Sequence, residues 1–134
     1  MKKFELTSDL LTMSGVFYPT GYAFIMFPTA EAAEQAAQTI EAHCSLSEPV
    51  MHLSAATVLK EIGKVDDESD VDLPSVGTEG ATVRRYVDLA RQGHAALMVK
   101  VGSDEEAEQV MVAARKMQFS YGQRYHMLAM QDLE

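Results

Sequence analysis

The sequence predicts an α+β fold, in which two β-α-β repeats share one antiparallel four-stranded sheet and a helical insertion separates them. Three observations carry this. A glycine followed by a short apolar run occurs twice, as Gly21-Tyr22-Ala23-Phe24-Ile25-Met26-Phe27 and as Gly93-His94-Ala95-Ala96-Leu97-Met98-Val99. Each run leads into a segment with helical spacing. The two helices align with Ala33-Glu34-Gln35-Ala36 laid on Ala107-Glu108-Gln109-Val110. That alignment is two residues out of step with the strands, so the second copy has the longer strand-to-helix turn. A third apolar run closes each half, around Val50 to Leu53 and around Tyr125 to Met130. One domain therefore spans 1–134, with repeat one at 21–53, the helical and acidic insertion at 54–92 and repeat two at 93–130. At 134 residues and 47% hydrophobic content the chain can bury a normal core without disulfides or a structural metal.

The first twenty residues carry mixed signals. Asp9-Leu10-Leu11-Thr12-Met13 fits a helical turn or an edge strand, and turn signals at Ser14-Gly15 and Pro19-Thr20-Gly21 bracket Val16-Phe17-Tyr18 as a short extended piece. Tyr22 to Phe27 is wholly apolar or aromatic, as expected of a central strand covered on both faces. Pro28-Thr29 stops it. Thr29 can cap a helix with Glu31 in its first turn, where the helix dipole favours an acid, and Ala33, Ala36, Ala37, Ile40 and Cys44 form one stripe. In the second half Ser103 and Glu106 have capping-box spacing, and Ala107, Val110, Met111, Ala114 and Gln118 occupy the matching stripe. Within the insertion, Ser54 can cap a short helix with Ala55, Val58, Leu59 and Ile62 on one face and Gly63 as its stop. The acidic run from Val65 to Pro74 reads as a solvated loop. Helical pattern resumes with Val83, Tyr86, Val87 and Ala90 and ends at Gly93.

Charge and cysteine content exclude several classes of function. With 20 acidic against 11 basic residues the net charge is -9, which opposes nucleic acid and anionic membranes. Arg84, Arg85 and Arg91 are the local concentration of arginine, and they decorate one exposed helix. No apolar run of signal-peptide length follows Lys2-Lys3, and no stretch approaches a membrane span, so a cytoplasmic setting is expected. Cys44 is the single cysteine, which rules out an internal disulfide framework. Its place on the apolar stripe predicts a buried structural thiol.

No residue set points to catalysis, a cofactor or a metal. Glu68, Asp70, Asp72 and Glu79 have the acidic spacing of a calcium-binding EF-hand loop, but Leu73 stands where the sharp turn needs glycine and Pro74 follows it. In a sheet of order 4-1-3-2, His52 and His126 fall on opposite edges, while His94 starts a central strand opposite Tyr22. No carboxylate or nucleophile is spaced to pair with His94. Strand alternation puts Ala23, Ile25 and Phe27 with Ala95, Leu97, Val99 and Val101 on one face, beneath the two helices. The other face carries Tyr22, Phe24 and Met26 with His94, Met98 and Lys100. This is the candidate ligand or dimer face, because aromatics and methionines cannot be left in water as one patch. The inserted helices, a second subunit or a ligand can each cover it. Single-stranded RNA is excluded, because His94, Ala96 and Met98 stand where stacking aromatics would be needed and the net charge has the wrong sign.

Laid out in this way, the halves resemble the ferredoxin-like sandwiches built from two β-α-β units. More narrowly, Ile25-Met26-Phe27-Pro28-Thr29-Ala30-Glu31-Ala32-Ala33-Glu34-Gln35-Ala36 is similar to the strand-turn-helix opening of small bacterial heat-induced or general-stress-protein domains. The resemblance brings no catalytic signature, and the reading expected of the whole chain is a non-catalytic cytoplasmic binding or regulatory module, homodimeric through the sheet face or bound to another protein. A dimeric α/β-barrel enzyme with an apolar pocket, in which His94 or Tyr22 supplies the polar group, is the alternative. An accessory subunit recognised through the inserted helix or acidic loop is the third.

Overall fold

The two glycine-led apolar runs form neighbouring central strands. The computed structural model describes residues 2–11, 15–63, 78–127 and 129–134. Its elements are β1 (Lys2–Lys3), β2 (Tyr22–Phe27), α1 (Ala30–His43), β3 (Met51–Leu53), α2 (Ala55–Thr57), α3 (Thr78–Arg91), β4 (Ala95–Lys100), α4 (Asp104–Lys116), β5 (Tyr121–Tyr125) and β6 (Met130–Asp132). The fold class is α+β, as predicted. The sheet order is β1-β3-β4-β2-β5-β6, and the four strands of the two halves run 4-1-3-2 in its centre. A four-stranded sheet was expected, yet the sheet is six-stranded. β1 adds to β3 in parallel, and β6 folds back antiparallel on β5.

Two boundaries differ from expectation for identifiable reasons. The closing strand of the second half spans Tyr121–Tyr125 and precedes the apolar run expected to form it. Gln123 and Arg124 are buried within that strand, at 3% and 8% exposure, and hydrophobic pattern cannot signal a strand whose buried residues are polar. The strand-to-helix turn of the second half is longer by one residue, not two. β2 ends at Phe27 and α1 is capped by Thr29, whereas β4 ends at Lys100 and α4 is capped by Ser103.

The helices over the first sheet face agree closely. Ala33, Ala36, Ala37 and Ile40 of α1 and the matching Ala107, Val110, Met111 and Ala114 of α4 are buried, together with Ala23, Ile25, Phe27, Leu97 and Val99 of the sheet. Their small alanines let both helices lie close to the strands. The Thr29 hydroxyl accepts from the Ala32 N–H at 3.0 Å, and the Ser103 hydroxyl accepts from the Glu106 N–H at 3.1 Å. The Glu106 carboxylate reaches back to the N–H of Gly102, at 2.9 Å, one residue ahead of the cap. Cys44 ends α1 in extended conformation and is half-buried, so the predicted fully buried thiol is corrected.

The second face is covered by the chain itself. Val58, Ile62, Val83, Tyr86, Val87 and Ala90 of the insertion, with Phe4, Leu10 and Phe17 from the N-terminal segment, pack over Phe24, Met26 and Met98. The rings of Phe17 and Tyr86 lie 5.4 Å and 4.3 Å from that of Phe24. Burying a large apolar side chain contributes about 1.5–3 kcal/mol. For Phe24, Met26 and Met98 together the gain is on the order of 5–9 kcal/mol, comparable to a typical domain's whole net stability.

The insertion also shows one local departure. Ser54 caps α2, its hydroxyl accepting from the Thr57 N–H at 3.1 Å, but the helix then widens to π geometry over Val58–Ile62. Gly63, expected as the stop, is the C-cap of this segment with φ −63°, its N–H donating to the Val58 carbonyl. Gly93, expected to end the next helix, does so in the left-handed region (φ +94°), where the N–H groups of Gly93 and His94 close on the carbonyls of Ala90 and Leu89. The acidic run, with Glu68, Asp70 and Asp72 of the EF-hand-like spacing, lies within residues 64–77, outside the described residues, while Glu79 falls in α3.

Candidate functional site

The predicted ligand or dimer face does not exist as a surface. Phe24, Met26 and Met98 are wholly buried under the insertion and the N-terminal segment, and a partner could reach them only by displacing that cover. Of the remaining three predicted site residues, Tyr22 and Lys100 meet and His94 stands apart. β2 and β4 are antiparallel with Tyr22 opposite Lys100, so His94 lies at the far end of the strand pair from Tyr22 rather than opposite it.

At the Tyr22 end, the Tyr22 hydroxyl donates to the Glu48 carboxylate at 2.9 Å, and Lys100 pairs with the same carboxylate at 3.4 Å. Burial, with the Glu48 charge and hydrogen bond next, pushes the Tyr22 phenol up to about 12. This phenol stays protonated at neutral pH and bridges the start of β2 to the β3 approach. At the other end, His94 Nδ1 lies 2.8 Å from the Ser120 hydroxyl. The surrounding N–H groups are already spent: Gly93 on Ala90, His94 on Leu89 and Ser120 on Met26. None of these is left to stabilise an oxyanion, so the pair pins the start of β4 to the start of β5. Partial burial, and to a smaller degree Glu106, raises the Cys44 thiol, which disfavours the thiolate a nucleophile needs. His52 lies on β3 and His126 just past the end of β5, so β4 and β2 separate them, as the strand order requires.

The side chains that do converge on open space come from parts of the chain that no motif marked. A cleft of about 460 Å³ lies between α3 and the β5–β6 hairpin, lined by Thr82, Arg85, Tyr121, Gln123, Met130 and Asp132. Its size falls within the range of small-molecule sites. α3 presents Val83, Tyr86, Val87 and Ala90 to the core, which leaves Arg85 on the outer side and Thr82 at the boundary. The Arg85 guanidinium sits over the Tyr121 ring, 5.1 Å from its centroid. Gln123 projects from β5 into the floor. Its amide nitrogen donates to the Tyr121 hydroxyl at 2.9 Å and to the Asp132 carboxylate on β6. Beneath lies a sealed pair, with the hydroxyls of Tyr86 and Tyr125 2.8 Å apart. Burial holds the Tyr86 phenol well above its ordinary value.

A second cleft, of about 440 Å³, lies between α4 and β6, but its cations are occupied. Arg124 pairs with Asp104 at 2.7 Å, and Arg115 holds Glu108 at 2.8 Å and the Glu134 carbonyl at 2.7 Å. Among the described residues no group of three or more His, Cys, Asp or Glu is placed to hold a metal ion, and no helix is long and apolar enough to cross a membrane. The one advance signal of the α3 cleft was the arginine concentration at 84, 85 and 91; Tyr121, Gln123 and Asp132 belong to no recognisable spacing. No protein-family model, curated protein or solved structure matches this chain.

Proposed function

We propose that this chain is a ferredoxin-like duplicated β-α-β domain acting as a small, non-catalytic binding module, and that it binds in the cleft between α3 and the β5–β6 hairpin. The observation that carries this reading is the Gln123 side chain. It is 3% exposed, sits at the cleft floor and orders both Tyr121 and Asp132. A buried amide holding two neighbours in place, under an exposed guanidinium, is a prearranged polar lining of the kind that orients a ligand. Nothing comparable surrounds His94 or Cys44, and the likeness of the β2–α1 stretch to general-stress domains carries no catalytic residue. A regulatory role in the cytoplasm fits a chain with a single cysteine and this acidity.

The alternative enzyme, with an apolar pocket on the sheet, loses its support because Phe24, Met26 and Met98 are covered by the chain's own helices. Dimerisation through that face loses it for the same reason.

The test is amide-resolved NMR of the isotope-labelled protein, titrated with a panel of amino acids, mono- and dicarboxylates, nucleosides and sugars. Shifts clustered at Thr82, Tyr121, Gln123 and Asp132 are expected. Shifts confined to the Tyr22, Glu48 and Lys100 end, or no shifts at all, overturn the reading.

A further inference from the structure

Resting on that reading, we infer that the α3 to β5–β6 cleft selects a small zwitterion, an α-amino acid or a molecule of the same chemistry, taking its carboxylate at Arg85 and its ammonium at Asp132. Arg85 and Asp132 line one cleft, and among the described residues neither takes part in an ion pair. That separates this cleft from the one beside α4, where each arginine already holds a carboxylate. Two opposite charges that share a cleft without forming an ion pair match a ligand that carries both charges itself.

The hydrogen-bond directions favour the same ligand. Gln123 donates to both Tyr121 and Asp132, so Tyr121 accepts with its oxygen and keeps its own proton to give. That proton and the Arg85 guanidinium both offer donors to a carboxylate. Asp132 accepts from Gln123 through one oxygen, and its second oxygen can take an ammonium proton.

Other ligand classes fit less well. One face of the Tyr121 ring lies under Arg85, and the Tyr86 ring stands 5.7 Å away at 58°, which crowds out the stacking that a nucleobase requires. A phosphate or dicarboxylate brings surplus negative charge against Asp132 in a chain of net charge -9. A simple amine meets Arg85 unpaired. In each case one of the two charged groups is left without its complement, and that mismatch gives the discrimination.

The experiment titrates the labelled full chain with the protein amino acids, then with the N-acetyl and the carboxamide derivatives of the tightest binder. Each derivative deletes one of the two charges, and each should weaken binding by about tenfold or more, the loss of one charge-assisted contact. In the Asp132→Asn chain the acetylated and free amino acids should bind alike. In the Arg85→Gln chain the carboxamide and the free amino acid should bind alike. Both residues are exposed, and a thermal melt of each variant checks that the fold is kept. If the derivatives bind as tightly as the parent and shift the same amides, the zwitterion is refuted while the cleft stands as the binding site. If no amino acid moves the amides of Thr82, Tyr121 or Gln123, the inference falls, and the rest of the panel decides whether the cleft reading falls with it.

Discussion

Gln118 holds a φ of +56°, the one non-glycine residue with positive φ among those described. It closes α4 just as Gly93 closes α3, with the N–H groups of Gln118 and Phe119 returning to the carbonyls of Arg115 and Ala114. An L side chain in this conformation costs about 1–2 kcal/mol that glycine avoids. Gln118→Gly is therefore expected to stabilise the fold by about 0.5–1 kcal/mol after glycine's greater loss of chain entropy, read as a higher urea midpoint. Tyr22 gives a pH dependence. Its phenol titrates near 10 in the unfolded chain and about 12 in the folded one. Between those values the unfolded chain has released the proton and the folded chain still holds it. The unfolded state then binds fewer protons, so this contribution to stability is complete below pH 10 and is lost as pH rises toward 12. The urea midpoint should fall from about pH 9 to about pH 11, and fall less steeply in Tyr22→Phe. Equal slopes would show that neither burial nor the Glu48 contact perturbs Tyr22.

Among the elements, α1 and α4 were legible in the sequence because their information is local. A cap, an acidic first turn and a stripe of small apolar residues each act over a few positions, and Thr29 and Ser103 make the hydrogen bonds that their spacing predicted. Ser103→Ala should cost about 1 kcal/mol, seen as a lower melting temperature, and Ser103→Thr should recover most of it. An unchanged Ser103→Ala melt would assign the start of α4 to the Glu106 carboxylate and Gly102 alone. β5 was not legible, because what makes it a strand is pairing with β2 on one side and β6 on the other, contacts that no local pattern contains. The candidate site was hidden for a related reason. Arg85 lies 36 positions before Tyr121, and Gln123 reaches Asp132 only because a hairpin opposes them in register. The open sheet face was a sound inference from alternation that failed on one missing fact, namely where the inserted helices pack.

For the molecule as a whole, the insertion is dispensable for connection and required for burial. Leu53 already pairs with Ala96, so β3 and β4 could be joined by a short loop. What the 54–92 segment supplies is the cover over Phe24, Met26 and Met98. Replacing it with a short glycine-serine linker should leave strand pairing possible but expose the apolar face that carries Phe24, Met26 and Met98. The expected result is loss of cooperative unfolding together with strong binding of a hydrophobic dye. Cooperative melting without dye binding would mean that α1 and α4 alone sustain the core.

The two rims of the sheet carry a different consequence. The outermost strands are the two-residue β1, made of Lys2 and Lys3, and the three-residue β6, which includes Asp132. Edge strands offer unpaired backbone on which further chains can polymerise, and short charged ones offer little of it. Side by side, the rims of two copies share too few rungs to hold. Fibril growth by end-to-end extension of the sheet is thus opposed by the lengths of its first and last strands, whatever the composition of the interior.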